Sequence, residues 1–321
     1  AYEIPKRDWS SDVCSSDLPG RVLRRLMPHL GRSLLLAGLT LLGAGCQRPA
    51  AVDVIAADGA LCDITRRLAA NDLTVGCLLG PNDDPHQLQL SPQRGRQLRQ
   101  ARLVLINGYG LTPALERWPG AVKVAELAVP NSPNLDPHVW HDPRQAAALV
   151  AAVGQRLQQL DPTAAAAIGG RATALERSLQ ALHRWNRAQM ATIPGARVLA
   201  TEHRGFASLA RAYGLEQLPV VDSASSSERL RPAGLSRVIQ QLRRQRVASL
   251  FSEQTPPSRS LERVSSLSGI PIGPQALRAD AGGDNLMATL TANTCRIVVQ
   301  LKGRCDGAGR ERLLQAWAQI P

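Results

Sequence analysis

From Asp161 to Thr192 the chain runs for 32 residues without a strand-like apolar run and with no proline beyond Pro162. Asp161 and Pro162 supply an N-cap and a first-turn proline, and Pro194 lies just past the end. Leu175, Leu179 and Leu182 recur at helical spacing with Trp185, and only Gly169–Gly170 weakens the pattern. A continuous helix of that length is a rod of roughly 48 Å. It is long enough to cross a whole domain.

Both flanks share one grammar. VDVIAA (52–57), LTVGCLLG (73–80) and RLVLING (102–108) read as strands, with helices near 60–70 and 91–101 between them. RVLAT (197–201), LPVV (218–221) and VASLF (247–251) repeat the pattern around helices at 205–214 and 234–245, and a final helix is expected over 285–301. Strands alternating with helices of this length predict parallel sheets built from βαβ units. The expected fold is α/β: two lobes, 50–160 and 195–321, with mainly parallel sheets joined by the single helix 161–192.

Residues 1–18 contain WSSDVCSSDL, which resembles a translated sequencing adapter, and they are set aside with Cys14. Residues 19–46 then read as a signal peptide: Arg21, Arg24, Arg25 and Arg32 precede the uncharged run 33–45, which is too short to span a bilayer. Leu42 and the small residues before Cys46 resemble a bacterial lipobox. Export is expected, with Cys46 lipidated as a membrane anchor.

Export reinterprets the formal net charge of +12. Exported proteins meet little nucleic acid, and Arg94, Arg96, Arg99 and Arg102, like Arg237, Arg243, Arg244 and Arg246, stand at helical spacing among apolar residues, as solvated helix faces do. No nucleic-acid partner is expected. Cys62, Cys77, Cys295 and Cys305 remain in an oxidising compartment, where proximity favours Cys62–Cys77 and Cys295–Cys305 over free thiols.

The chain has six histidines. His183 falls on the long helix, whereas His86, His138, His141 and His203 fall in loops. In parallel α/β sheets, loops at the C-terminal strand ends form the binding crevice. His203 follows one such strand directly, His86 another, and Glu253 a third. Three neutral imidazoles and one oxygen donor suit a tetrahedral zinc site.

DDPHQLQLSP around His86, LDPHVWHDP around His138 and TEHRGFASLARAYGL around His203, with INGYGL (106–111) and LFSEQTPPSRSLERVSSLSGI (250–270), resemble in order the motifs of the zinc- and manganese-binding receptors of bacterial ABC metal importers. The resemblance covers about residues 50–302. It implies two lobes joined by a rigid helix, a metal site in the interlobe cleft, and a lipid-anchored, monomeric receptor on the extracytoplasmic face that hands Zn²⁺ to a membrane permease and does no chemistry itself. It also implies His86, His138 and His203 as ligands. A histidine at the third position favours zinc over manganese. The acidic fourth ligand of the family falls near Gln275, so Asp280 is the substitute, with Asp284 or a water as the other choices. His141 stands where the family usually has an aliphatic residue, as an auxiliary ligand or, in preference, a supporting or surface group. The alternatives are a manganese or iron receptor and, from another class, an exported zinc hydrolase using Glu202 or Glu253 as base.

Overall fold

The computed structural model describes residues 52–80, 83–221, 232–280 and 285–321. The expectations for residues 1–46, including Cys46, and for Asp284 lie outside the described residues.

The first lobe is built from β1 (Val54–Ala56), α1 (Gly59–Ala69), β2 (Val75–Cys77), α2 (Pro92–Gln100), β3 (Leu103–Ile106), β4 (Val122–Lys123) and α3 (Val124–Ala128). Its sheet is parallel, in the order β2-β1-β3-β4, with Val54 opposite both Val75 and Leu103. Central β1 is buried throughout, which is why its sequence is an unbroken apolar run. Asp58 caps α1 by accepting from Leu61 N at 3.0 Å. A disulfide joins Cys62 on α1 to Cys77 on β2, with Cα atoms 5.6 Å apart.

α4 (Pro143–Leu160) and α5 (Ala165–Ala191) follow. The long helix begins later than the sequence suggests. Asp161 accepts from Thr163 N and Ala164 N, which holds a 3₁₀ turn over Pro162–Ala164 before the α-helix sets in. From there it runs unbroken through Gly169 and Gly170. Along its side lies α4, whose Ala146, Leu149, Val150, Val153 and Leu157 share one core with Ile168, Leu175, Leu179 and Leu182 of α5.

The second lobe comprises β5 (Val198–Thr201), α6 (Ala207–Tyr213), β6 (Glu216–Pro219), α7 (Pro232–Arg244) and α8 (Arg259–Ser268), and α9 (Leu286–Gln300) and α10 (Gly307–Ala318) complete the chain. β5 and β6 pair in parallel, with Val198 opposite Glu216. VASLF does not form a strand: Leu250 alone bridges Ala200 on one side and Ile272 on the other. Val247, Leu250 and Phe251 are buried, so the run records burial rather than a ladder. Nor is α9 the last helix. Its Cys295 is bonded to Cys305, after which α10 turns back onto the first lobe. There Trp317 Nε1 and Leu286 N donate to the buried carboxylate of Asp63 at 3.0 and 2.7 Å. Arg67 beside it donates to the carbonyls of Trp317 and Ile320.

Candidate metal centre

Each histidine is delivered by a turn that its own sequence dictates. In both DPH motifs the aspartate folds over its backbone: Asp84 Oδ1 accepts from His86 N at 2.9 Å, and Asp136 Oδ1 from His138 N at 3.0 Å. The first motif sits on a 3₁₀ turn after β2, the second immediately before another at Val139–His141. His203 follows β5, where Thr201 Oγ1 and Gln217 Nε2 donate to its carbonyl at 2.8 and 3.1 Å. Gly205 is required two residues later. A Cβ there would lie 2.7 Å from Ala279 Cβ and 2.8 Å from the His203 ring.

Asp280 arrives on the loop before α9. Asn293 on α9 grips Arg278 by both its N–H and its carbonyl, at 2.9 and 2.7 Å. His86, His138, His203 and Asp280 then converge, each offering one donor atom, all within 4.8 Å of one another. Asp280 Oδ1 is 3.4 Å from Nε2 of His86 and 3.4 Å from Nε2 of His138. His203 Nε2 is also 3.4 Å from His138 Nε2. All three imidazoles are buried, and the Asp280 side chain is 20% exposed.

The far nitrogens of two rings are occupied. His138 Nδ1 faces Asp136 Oδ1 at 3.2 Å, and Ser208 Oγ donates to the other oxygen of that carboxylate at 2.7 Å. His203 Nδ1 pairs with Glu253 Oε2, while Glu253 Oε1 accepts from the backbone N–H groups of Glu202 and His203 at 3.0 and 3.2 Å. Such partners fix the tautomer, so that Nε2 is the nitrogen turned to the centre.

The electrostatics follow from burial and these contacts. Burial works against a charge on His138, but Asp136 and Asp280 outweigh it and hold the imidazolium up to about 10. Burial opposes His203 in the same way, and Glu253 raises it. Asp136 is held down to about 2, its burial more than offset by His138 and Ser208. Asp280 is held well below the usual carboxylate range, again against burial, by His138 and His86.

The four residues singled out from the sequence are thus brought together. His141 is neither a surface group nor part of the cluster. It is 0% exposed, and its Nε2–H donates to the Ala279 carbonyl at 2.6 Å. Burial lowers it to about 4, leaving a neutral ring. Glu253 is engaged behind His203, and Glu202 Oε1 accepts from Ser252 Oγ and Ser258 N at 3.0 and 3.3 Å. Sequence reasoning missed the orienting role of Asp136, although its place two residues before His138 was the available signal.

This architecture has known counterparts. The model of the family described as ZnuA, zinc-uptake complex component A periplasmic, matches residues 54–299. The metal ABC transporter substrate-binding lipoprotein SloC of Streptococcus mutans is 24% identical over 295 residues, covering 82% of this chain and 96% of that protein. The solved periplasmic zinc-binding protein TroA of Treponema pallidum superposes with a TM-score of 0.72 at 25% identity, over 77% of this chain and 98% of that one. Fe(III)-bound YtgA of Chlamydia trachomatis shares the fold, with a TM-score of 0.73 at 23% identity over 79% and 99% of the two chains. The match of most of the chain to the family model places this protein in the zinc-uptake complex component A family.

Proposed function

We propose that this chain is the metal receptor of an ABC importer, binding one transition-metal ion, zinc in preference to manganese, on His86, His138, His203 and Asp280. It hands the ion to a separate membrane permease. It works as a monomer on the extracytoplasmic face of a bacterial envelope, tethered by lipid at Cys46, and catalyses no reaction. Among the described residues no helix is long and apolar enough to cross a membrane.

One observation carries this reading: three imidazole nitrogens and a carboxylate oxygen from both lobes converge within 4.8 Å of one another, with three of their separations at 3.4 Å. Buried charges are either paired with one another or coordinate a metal, and three imidazoles gathered around a single carboxylate suit the second. Four donors about 2.05 Å from a tetrahedral zinc stand about 3.3 Å apart, close to the spacing found here. The hydrolase reading needs a general base, and both candidates are committed to backbone and side-chain partners.

The test is metal analysis of untagged protein, followed by competition titration with Zn²⁺ and Mn²⁺. One tightly held Zn²⁺ per chain is expected, with His86→Ala or His138→Ala weakening both metals. Protein that binds no metal, or binds it equally well after both substitutions, refutes the proposal.

A further inference from the structure

His141 belongs to the first lobe by sequence, yet its ring lies against the second. It packs on Phe206, just before α6, with ring centroids 4.7 Å apart, and its Nε2–H reaches the Ala279 carbonyl at 2.6 Å. A neutral ring donating from Nε2 has a bare Nδ1, and that atom has no hydrogen bond among the described residues. The ring is fully buried, so a single directed bond is the polar contact it makes there. A buried imidazole costs free energy unless that bond is made.

The bond falls on the residue next to Asp280. Asn293 already fixes the backbone of Arg278 from within the second lobe. His141 fixes the following carbonyl from the first. Three residues before His141 stands His138, so one short segment supplies a donor directly and reaches the loop of another.

We propose that His141 is a positioning residue for metal binding: its hydrogen bond to the Ala279 carbonyl holds the loop of Asp280 against the first lobe and so sets the carboxylate in place beside His86 and His138. This rests on the reading of the four-residue cluster as the metal site. Groups that orient ligands contribute about 10- to 100-fold in metal affinity. A group acting on the backbone beside the ligand belongs at the lower end.

The experiment is a Zn²⁺ competition titration of the full chain carrying His141→Leu or His141→Gln, each alone and combined with Asp280→Ala. His141→Leu should weaken binding roughly 10-fold. His141→Gln, whose amide nitrogen can occupy the place of Nε2, should stay within about 3-fold of wild type. In the Asp280→Ala background the leucine change should cost less than about 2-fold, because no carboxylate remains to be placed. Should the leucine variant not fold, His141→Asn, with an amide too short to reach Ala279, replaces it in both backgrounds. Full affinity after loss of the donor, equal loss with glutamine, an undiminished loss in the Asp280→Ala background, or an Asp280→Ala variant that binds as wild type each overturns the role of His141. Failure of the wild-type chain to bind Zn²⁺ instead sinks the receptor reading beneath it.

Discussion

Asp136 accepts from the backbone N–H of His138 and faces its Nδ1 at 3.2 Å, so one carboxylate sets both the turn and the ring. The consequence is that Nε2 alone is turned to the cluster. Asp136→Asn removes the charge while keeping the shape. Zinc affinity should fall about 10-fold or more, with one ion still bound per chain. Unchanged affinity would show that burial alone orients the ring.

The choice between metals should rest on His203. Imidazole suits zinc, whereas manganese prefers oxygen donors and sits at the weak end of the divalent series. His203→Glu should narrow the gap between Zn²⁺ and Mn²⁺ in paired titrations at one pH. A wild-type protein holding both equally, or a variant with unchanged preference, would remove His203 from the selectivity argument.

Proton competition sets the pH dependence. An ordinary histidine would place the loss of affinity near pH 6.5, but His138 is held up to about 10 and His203 is also raised. Metal must displace those protons, so affinity should keep rising with pH above 6.5, and binding at pH 7.5 should release about one proton or more. Calorimetry in buffers of different ionisation enthalpy counts them, and a count of zero contradicts the arrangement. The same protons stabilise the metal-free fold fully below pH 6.5. That contribution is lost as pH rises toward 10, so metal-free protein should melt lower at pH 9 than at pH 7.

The lobes should move little. α5 has no break at Gly169–Gly170 and is packed along α4, leaving few residues to absorb the dihedral changes of a hinge. Scattering curves of metal-free and zinc-loaded protein should nearly superimpose. A large fall in radius of gyration on adding Zn²⁺ would contradict this.

Much of the site was legible because its chemistry is local. DPH is a turn whose aspartate caps its own histidine, and His203 directly follows a buried strand, so sequence order carries the geometry. Asp280 supplies one of several oxygens that the loop before α9 offers, and the grip of Asn293 on Arg278 and the bond of His141 to Ala279, both invisible in the sequence, hold the residues just before it. A supporting role for His141 is among the readings its sequence allows, but its partner was unreadable for a physical reason: it is a backbone carbonyl 138 residues away, and carbonyls leave no mark in a sequence. VASLF misled because burial and strand pairing both select apolar residues. The apolar spacing of α4 was there to be read, while the return of α10 to the first lobe rests on contacts as remote as Trp317 with Asp63.

That last contact bears on how the molecule is made. Asp63 and Trp317 are separated by 254 residues, so a chain synthesised from its N-terminus presents the buried carboxylate long before its indole partner exists. Leu286 and the carbonyls of Trp317 and Ile320, which engage Asp63 and Arg67, also come late. The first lobe is therefore the first to be synthesised and among the last to be finished. A product cut short by its final helix would carry its defect in the oldest part of the chain, as a carboxylate without its indole donor inside a core left open on one side.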